Sequence, residues 1–280
     1  MTKLRERMVQ DMTIRGFTRG TQGKYLEAIQ ALAQYYHQSP DQLIQEQLRA
    51  YLLYLIETRK LAQSTFRLHL SALKFLYRRT LGQPWPVLAL PRVQSDKRLP
   101  VVLSRAEVWC LLDQVHKPSA RLSLILMYTC GLRVSEALHL RVQDIDSQRM
   151  VVWVRNGKGA KDRSVPLPPP TLAELRAYWR QYRPATWLFP TKTGTARRPD
   201  NAVRGCLQAA LRQTPIRKKV SCHTLRHSYA THLLEAGVHL RAIQALLGHR
   251  SLKTTFIYLH LTQSGLADVQ AQINRVMTRP

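Results

Sequence analysis

The chain has 280 residues, enough for one large domain or two smaller ones, and its composition is that of a globular protein and not of a disordered one. Lysine and arginine total 43 against 17 aspartates and glutamates, so the net charge of +26 makes nucleic acid the first candidate partner. The four cysteines form no CxxC pair and no apolar run reaches the ~20 residues of a membrane helix, so we expect a cytoplasmic protein without structural zinc, disulfides or membrane contact.

The first 80 residues predict helices separated by short breaks. Apolar residues recur at helical spacing from Thr21 until Ser39-Pro40 ends the pattern, and a second such run covers residues 48–56. A third helix is predicted to begin at the N-cap Ser64 and to end before Gly82. We therefore predict an all-helical domain over residues 1–90.

Residues 91–100 are polar, basic and bounded by prolines, which predicts a linker before a second domain over residues 101–280. In that domain, capping boxes at Ser104–Glu107 and Thr171–Glu174 each predict a helix start. The apolar run 122–128 predicts a buried helix that ends at Gly131. Residues 150–154 and 164–167 predict two strands, with a turn signal at Asn156-Gly157.

Three stretches of this second domain carry the residues most informative about function. Residues 131–136 are Gly-Leu-Arg-Val-Ser-Glu, residues 157–159 are Gly-Lys-Gly, and residues 223–258 contain His-Thr-Leu-Arg, Gly-His and a tyrosine in that order. The ordered set resembles the tyrosine site-specific recombinases, the phage integrase and Xer-type family, over essentially the whole chain. The resemblance implies a mostly helical protein with a SAM-like core-binding domain and a mixed α+β catalytic domain with a small antiparallel sheet. It also implies that the two domains form a C-shaped clamp on DNA.

Two arginines are suited to bind a DNA phosphate. A phosphodiester needs its charge balanced as phosphorus becomes five-coordinate, and guanidinium groups fit its non-bridging oxygens. Arg133 and Arg226 are the candidates, and Glu136, three residues after Arg133, could orient it. His223 precedes Arg226 by three residues, so both lie on the same side of the first turn of a helix.

The resemblance implies roles for further residues. In the family the equivalent of His223 assists proton transfer involving the nucleophile, that of His249 donates a hydrogen bond to the phosphate, and that of Lys158 protonates the departing 5′ oxygen. We also expect four basic residues to contact DNA, namely Lys97, Arg98, Lys161 and Arg163.

Tyr258, nine residues after His249, is the predicted nucleophile, with Tyr229 as its rival. A phenol with a pKa near ~10 needs nearby cations and a base before it can attack. The 3′-phosphotyrosine it forms retains the energy of the broken strand, so we expect no cofactor: neither ATP nor a metal ion. A metal site at His223 and His227 is disfavoured because Arg226 would add a cation beside it, and His227 and His232 are interpreted as structural.

The sequence thus predicts a site-specific recombinase or integrase that acts on paired sites in double-stranded DNA, near the bacterial nucleoid. The resemblance implies a homotetramer on DNA, monomeric when free, whose apolar terminal stretch 266–276 docks on its own domain or on a neighbouring subunit. Two alternatives stay open at this point: a type IB topoisomerase-like enzyme that relaxes supercoils, and a non-catalytic DNA-binding protein.

Overall fold

The computed structural model describes residues 2–84, 99–155, 162–191, 193–194, 196–249, 251–256 and 258. The chain divides into two compact units, Met1–Lys97 and Arg98–Pro280. Residues 91–98 of the predicted linker and the predicted terminal helix over 266–276 lie outside the described residues. Within the described ranges, no helix combines the length and the apolar character that crossing a membrane requires.

Over residues 2–84, the part of it that the structure describes, the N-terminal unit is built from helices. Its elements are α1 (Lys3–Ile14), α2 (Arg19–Tyr36), α3 (Gln45–Glu57) and α4 (Gln63–Phe75), with a 3-10 turn at Pro40–Gln42 and a π-helical turn at Leu76–Thr80. One apolar face of each helix forms the core, in which Leu32, Leu48 and Leu73 are fully buried. The three predicted helices are confirmed.

Two details of this unit differ from the sequence predictions. Helix α1 was not predicted, because it buries only Met8 and Met12 in an otherwise charged segment. Helix α4 does not begin at a Ser64 cap: the carbonyl of Ala62 accepts the first helical hydrogen bonds, so Ser64 lies inside the first turn.

The second unit surrounds a buried central helix with further helices and a small sheet. In chain order its elements are α5 (Arg105–Asp113), α6 (Pro118–Thr129), α7 (Val134–Leu138), β1 (Ile145–Asp146), β2 (Val151–Val154), β3 (Arg163–Pro166), α8 (Pro169–Tyr182), α9 (Asp200–Leu211), α10 (Cys222–Glu235), α11 (Leu240–Leu247) and α12 (Leu252–Thr255). A 3-10 turn at Val142–Asp144 precedes β1. Helix α6 is buried from Leu122 to Met127 as predicted, and it contacts α7, α8, α9 and α10.

The three strands form an antiparallel sheet in the order β1-β2-β3, with Val152 opposite Val165. Val152 and Val154 are buried while Trp153 is partly exposed, so one face of the sheet packs on the core. Both predicted strands are confirmed to within one residue. The two-residue β1 was not predicted, and the turn at Asn156-Gly157 lies outside the described residues.

The capping box at Ser104 and Glu107 is confirmed, whereas the one predicted at Thr171 and Glu174 is wrong. Ser104 Oγ accepts the Glu107 N–H at 3.1 Å, and Glu107 Oε2 accepts the Ser104 N–H at 2.7 Å. Helix α8 instead begins at Pro169, because proline needs no hydrogen bond at a helix N-terminus. Thr171 is therefore a buried residue within α8, and its hydroxyl donates a hydrogen bond to the Thr129 hydroxyl at 3.1 Å.

Candidate active site

Arg133 lies at the N-cap of α7, directly after a turn at Gly131 that has φ +61°. Glu136, on the first turn of α7, accepts one hydrogen bond from the backbone N–H of Arg133 at 2.8 Å and another from Arg133 Nη1 at 2.6 Å. Arg133 Nη2 also donates to the Gly248 carbonyl at 3.4 Å. The Glu136 carboxylate therefore both caps the helix and orients the arginine, as the three-residue spacing predicted.

The buried Glu136 carboxylate joins three arginines. Arg163 on β3 donates to both of its oxygens, at 3.0 and 2.8 Å, and Arg226 Nη1 lies 3.5 Å from Oε2. Burial alone would raise the Glu136 pKa, but the hydrogen bonds and charges of Arg163 and then Arg133 lower it to about 2. The Glu136 carboxylate thus positions three guanidinium groups, and this cluster of four side chains keeps a net positive charge.

Arg226 is fixed more firmly than Arg133, because it is only 4% exposed and bonds two backbone carbonyls. It lies on α10, and its guanidinium donates to the Gly131 carbonyl at 2.6 Å and to the Leu247 carbonyl. Burial, then the charge of Arg133, lowers the Arg226 pKa to about 10, which still leaves the side chain charged at neutral pH. Arg226 connects α10 to the turns before α7 and after α11.

Two histidines lie beside these arginines. His223, in the first turn of α10, has its pKa lowered by desolvation and by the charges of Arg226, Arg204 and Arg133. His249 follows α11, and its Nδ1 is 3.0 Å from the hydroxyl of the fully buried Thr255. Burial and then nearby arginines lower the His249 pKa to about 4, so this imidazole is neutral near pH 7.

Tyr258 is almost fully buried, and its hydroxyl contacts a histidine. Its ring packs against Ala230, Ile243 and Leu247, and its Oη lies 2.9 Å from Nδ1 of His227. Burial raises the Tyr258 pKa, while the charges of Arg226 and Arg133 act in the opposite direction. The phenol is therefore protonated at neutral pH in the DNA-free protein.

A cavity of about 210 Å³ joins these side chains, and its lining comprises Arg133, His223, Arg226, His227, His249, Thr254 and Tyr258. The cavity combines two guanidinium groups and three imidazoles with one phenol. Such a lining is suited to bind an anionic phosphate next to an oxygen nucleophile. Five of the six residues predicted to be catalytic line this cavity, and the sixth, Lys158, lies outside the described residues.

Of the four residues predicted to contact DNA, the structure describes Arg163 alone. Lys97, Arg98 and Lys161 lie outside the described residues. Arg163 differs from its expected place at a DNA phosphate, because its side chain is only 12% exposed and Nε donates to the Leu246 carbonyl at 2.9 Å while both terminal nitrogens bond Glu136. In the DNA-free protein, three of the five N–H groups of Arg163 are thus engaged, and two of them position Glu136.

Two further residues of the site were missed by sequence reasoning. His227 was interpreted as structural, yet it contacts the Tyr258 hydroxyl, and Thr255, which contacts His249, was not considered. The sequence contains only a weak indication that His227 belongs to the site: it follows His223 by one helical turn and is adjacent to Arg226. Among the described residues, no group of three His, Cys, Asp or Glu side chains is arranged to coordinate a metal ion.

Comparison with known families covers both units. The profile of the phage integrase family matches residues 102–264, more than half of the chain, and the profile of the phage integrase N-terminal SAM-like domain matches residues 4–87. The chain is 43% identical over 267 residues to a putative integrase/recombinase of Sinorhizobium fredii, a match that covers 93% of this chain and 85% of that protein.

Proteins named as tyrosine recombinases are also similar. The chain is 38% identical over 231 residues to the tyrosine recombinase XerD of Caulobacter vibrioides, which covers 75% of each protein. The crystal structure of XerA recombinase matches with a TM-score of 0.55 and 27% identity, covering 99% of both chains. These matches favour a recombinase over the topoisomerase-like and non-catalytic alternatives. The chain therefore belongs to the phage integrase family of tyrosine recombinases, enzymes that cleave and rejoin DNA strands through a covalent phosphotyrosine.

Proposed function

We propose that Tyr258 is the nucleophile of this recombinase and that Arg133, Arg226 and His249 bind the scissile phosphate. The observation that carries the proposal is the cavity in which a phenol faces two oriented guanidinium groups. Arg133 and Arg226 are fixed by Glu136 and by backbone carbonyls before any DNA arrives. Preorganised positive groups stabilise the five-coordinate phosphorus, where extra negative charge develops.

In the first step, the Tyr258 oxygen attacks phosphorus and the bond from phosphorus to the 5′ oxygen breaks. The products are a 3′-phosphotyrosine and a free 5′-hydroxyl, and we assign the proton for that 5′ oxygen to Lys158. His223, exposed at the cavity, is assigned the proton that the Tyr258 hydroxyl loses as its oxygen bonds to phosphorus. Because the aryl ester retains the energy of the broken bond, a 5′-hydroxyl from a second strand can displace Tyr258 without ATP or metal.

We further propose that both units contact double-stranded DNA, with residues 1–90 as the core-binding domain, 91–100 as the linker and 101–280 as the catalytic domain. The excess of Lys and Arg in both parts of the chain supports this division. The tetramer on paired sites and the cytoplasmic location near the nucleoid belong to the same proposal. Lys97, Arg98 and Lys161 are retained as proposed DNA contacts.

The first prediction concerns the nucleophile and uses Tyr258→Phe with Tyr229→Phe as its matched control. Nicked duplexes that tile the DNA flanking the gene are incubated with the full chain in EDTA without ATP, and covalent adducts are resolved on a denaturing gel. We expect an adduct with the wild type, none with Tyr258→Phe, and an adduct within a few-fold of wild type with Tyr229→Phe, because of these two tyrosines it is Tyr258 that lines the cavity with Arg133 and Arg226.

Peptide mapping of the wild-type adduct completes the experiment. A DNA-linked peptide that contains Tyr258 supports the assignment. A linkage at Tyr229 or at any other residue, or an adduct that persists in Tyr258→Phe, contradicts it.

A further inference from the structure

The C-terminal end of α11 is held by arginine side chains. An α-helix leaves the carbonyls of its last turn without partners inside the helix. At the end of α11, three consecutive carbonyls each accept a hydrogen bond from a different arginine: Leu246 from Arg163 Nε at 2.9 Å, Leu247 from Arg226 and Gly248 from Arg133. The same three arginines surround the Glu136 carboxylate. His249 follows this turn directly, so its backbone begins where the arginines hold the chain.

Arg163 differs from the other two arginines in what its side chain contacts. Arg133 and Arg226 line the cavity that is proposed to receive the phosphate, and Arg163 is not among the described residues of that lining. From β3, Arg163 bonds both oxygens of Glu136 and the Leu246 carbonyl, so it joins the start of α7 to the end of α11. A guanidinium group is a planar fork with fixed donor directions, so these three bonds define how far apart the two elements lie.

Gly248 shows how closely Arg163 packs against the end of α11. A Cβ on Gly248 would lie 3.1 Å from Arg163 Nη1 and 3.2 Å from its Cδ. Gly248 also has φ +60°, the left-handed conformation that commonly ends a helix. A glycine at this position therefore allows both the helix end and the close approach of the guanidinium group.

We propose that Arg163 is a positioning residue for strand cleavage, because it joins Glu136 to the end of α11. Through these two contacts it sets the positions of the groups assigned to the phosphate, namely Arg133, Arg226 and His249. The inference rests on that assignment in the proposed function. Arg163 acts through its neighbours, in place of the contact with a DNA phosphate that the sequence predicted. A displacement of about 1 Å in a catalytic group can cost about 10²-fold in rate, so a positioning residue has a large effect on cleavage.

The second prediction tests this with Arg163→Lys, which keeps the positive charge but replaces the fork with a single nitrogen. Adduct formation by the full chain is measured in single turnover on a nicked duplex, and DNA binding is measured by gel shift. We expect cleavage to slow by about 10²-fold while DNA affinity stays within a few-fold of wild type. Arg121→Lys is the matched control and should cleave like wild type, because Arg121 also joins two carboxylates, Asp113 and Glu174, but lies outside the described lining of the cavity.

A methylphosphonate at the scissile position gives a readout that a general loss of structure would not change. This group has a methyl in place of one non-bridging oxygen and carries no negative charge, so its cleavage depends less on well-placed guanidinium groups. We expect it to reduce the defects of Arg163→Lys and of Arg133→Ala to less than about 10-fold, each relative to wild type on the same substrate.

Two results overturn the proposal: a methylphosphonate that relieves Arg133→Ala but not Arg163→Lys, or an Arg163→Lys rate on the phosphodiester equal to that of wild type. A wild type that forms no adduct on Tyr258, or an Arg133→Ala defect that the methylphosphonate leaves unchanged, instead contradicts the proposed function.

NMR of the wild-type protein gives a measurement that does not depend on folding of the variant. Because the Arg163 Nε–H donates to the Leu246 carbonyl, we expect this proton to exchange slowly with solvent in the free protein. We expect the same protection in the complex with an intact duplex. Loss of protection on DNA binding would show that Arg163 leaves its position at the end of α11, and it overturns the proposal.

Discussion

Glu136 is the residue on which the phosphate-binding geometry depends most. Its carboxylate bonds Arg133 and Arg163 and lies 3.5 Å from a terminal nitrogen of Arg226, so it fixes side chains from three different elements. Three guanidinium groups that lie this close would repel one another without it. A preorganised cluster of this kind needs no rearrangement when the phosphate binds.

The third prediction is that Glu136→Gln lowers the free energy of unfolding near pH 6 by about 3 kcal/mol, which is what a pKa lowered from 4.5 to about 2 corresponds to. Because the folded-state pKa lies below the unfolded value, this stability is fully present above about pH 4.5. It is lost as the pH falls toward 2. Urea unfolding of wild type and variant at several pH values in that range measures the difference.

Glu107→Gln is the matched control for this prediction. Glu107 occupies the same capping position in α5, but its partner Lys218 is partly exposed, so we expect a loss of no more than about 1 kcal/mol. Equal stability of the two variants, or a wild type and Glu136→Gln with the same pH dependence, would show that the carboxylate does not organise the arginines.

At the scale of elements, the turn between α6 and α7 determines where Arg133 and Arg226 meet. Gly131 has φ +61°, a conformation that L residues with a side chain adopt only at a cost, and its carbonyl accepts the Arg226 Nη1. A Cβ at this position would lie 2.5 Å from the ring of Tyr229 on α10. The turn is therefore packed directly against the helix that carries Arg226.

The fourth prediction is that Gly131→Ala lowers the free energy of unfolding by about 2–4 kcal/mol, combining the left-handed backbone with the overpacked methyl group. We also expect slower cleavage, because the displaced turn moves the carbonyl that orients Arg226. Thermal unfolding and the adduct assay measure both effects. Gly205→Ala in α9 is the control: beyond its chain neighbours and the adjacent helix backbone its Cβ would meet no atom within 4 Å, so we expect stabilisation of about 0.5–1 kcal/mol. A Gly131→Ala protein as stable as wild type would contradict the packing argument.

At the scale of the whole molecule, DNA binding and DNA cleavage depend on different sets of positively charged residues. The net charge of +26 is distributed along the chain, so a single arginine contributes one of many phosphate contacts. Arg133 and Arg226 are distinguished by their place in the cavity and not by their charge. Losing either should affect the chemical step far more than affinity for DNA.

The fifth prediction is that Arg133→Ala and Arg226→Lys each slow cleavage by about 10²- to 10³-fold, the cost of removing one preorganised donor. DNA affinity is expected to fall only a few-fold in both. Gel shifts at fixed salt measure binding, and single-turnover adduct formation measures cleavage. Arg121→Ala is the control, because Arg121 pairs with Asp113 and Glu174 on the surface. Equal losses of binding and cleavage would reduce both residues to ordinary phosphate contacts.

The sequence by itself determined three helices of the first unit, the helix that begins at Ser104 and the buried helix over residues 122–128, the two longer strands and the order of the motif residues. These features depend on contacts within about four residues, as in the capping box of Ser104 and Glu107, or on an apolar face such as that of α6. The spacing of Arg133 and Glu136 likewise predicted their contact. Local signals failed where they compete, as at Thr171, where the prolines before it begin the helix earlier.

Only the tertiary structure decided which distant side chains meet. Arg163 is 27 residues from Glu136, and His227 is 31 residues from Tyr258, so neither contact leaves a periodic trace in the sequence. A buried carboxylate takes whichever guanidinium groups the folded core brings within reach, and a buried phenol takes the nearest hydrogen-bonding group, because an unpaired polar group inside a protein is costly. That requirement is met only after the chain has folded, and it assigned Arg163 to Glu136 and His227 to Tyr258.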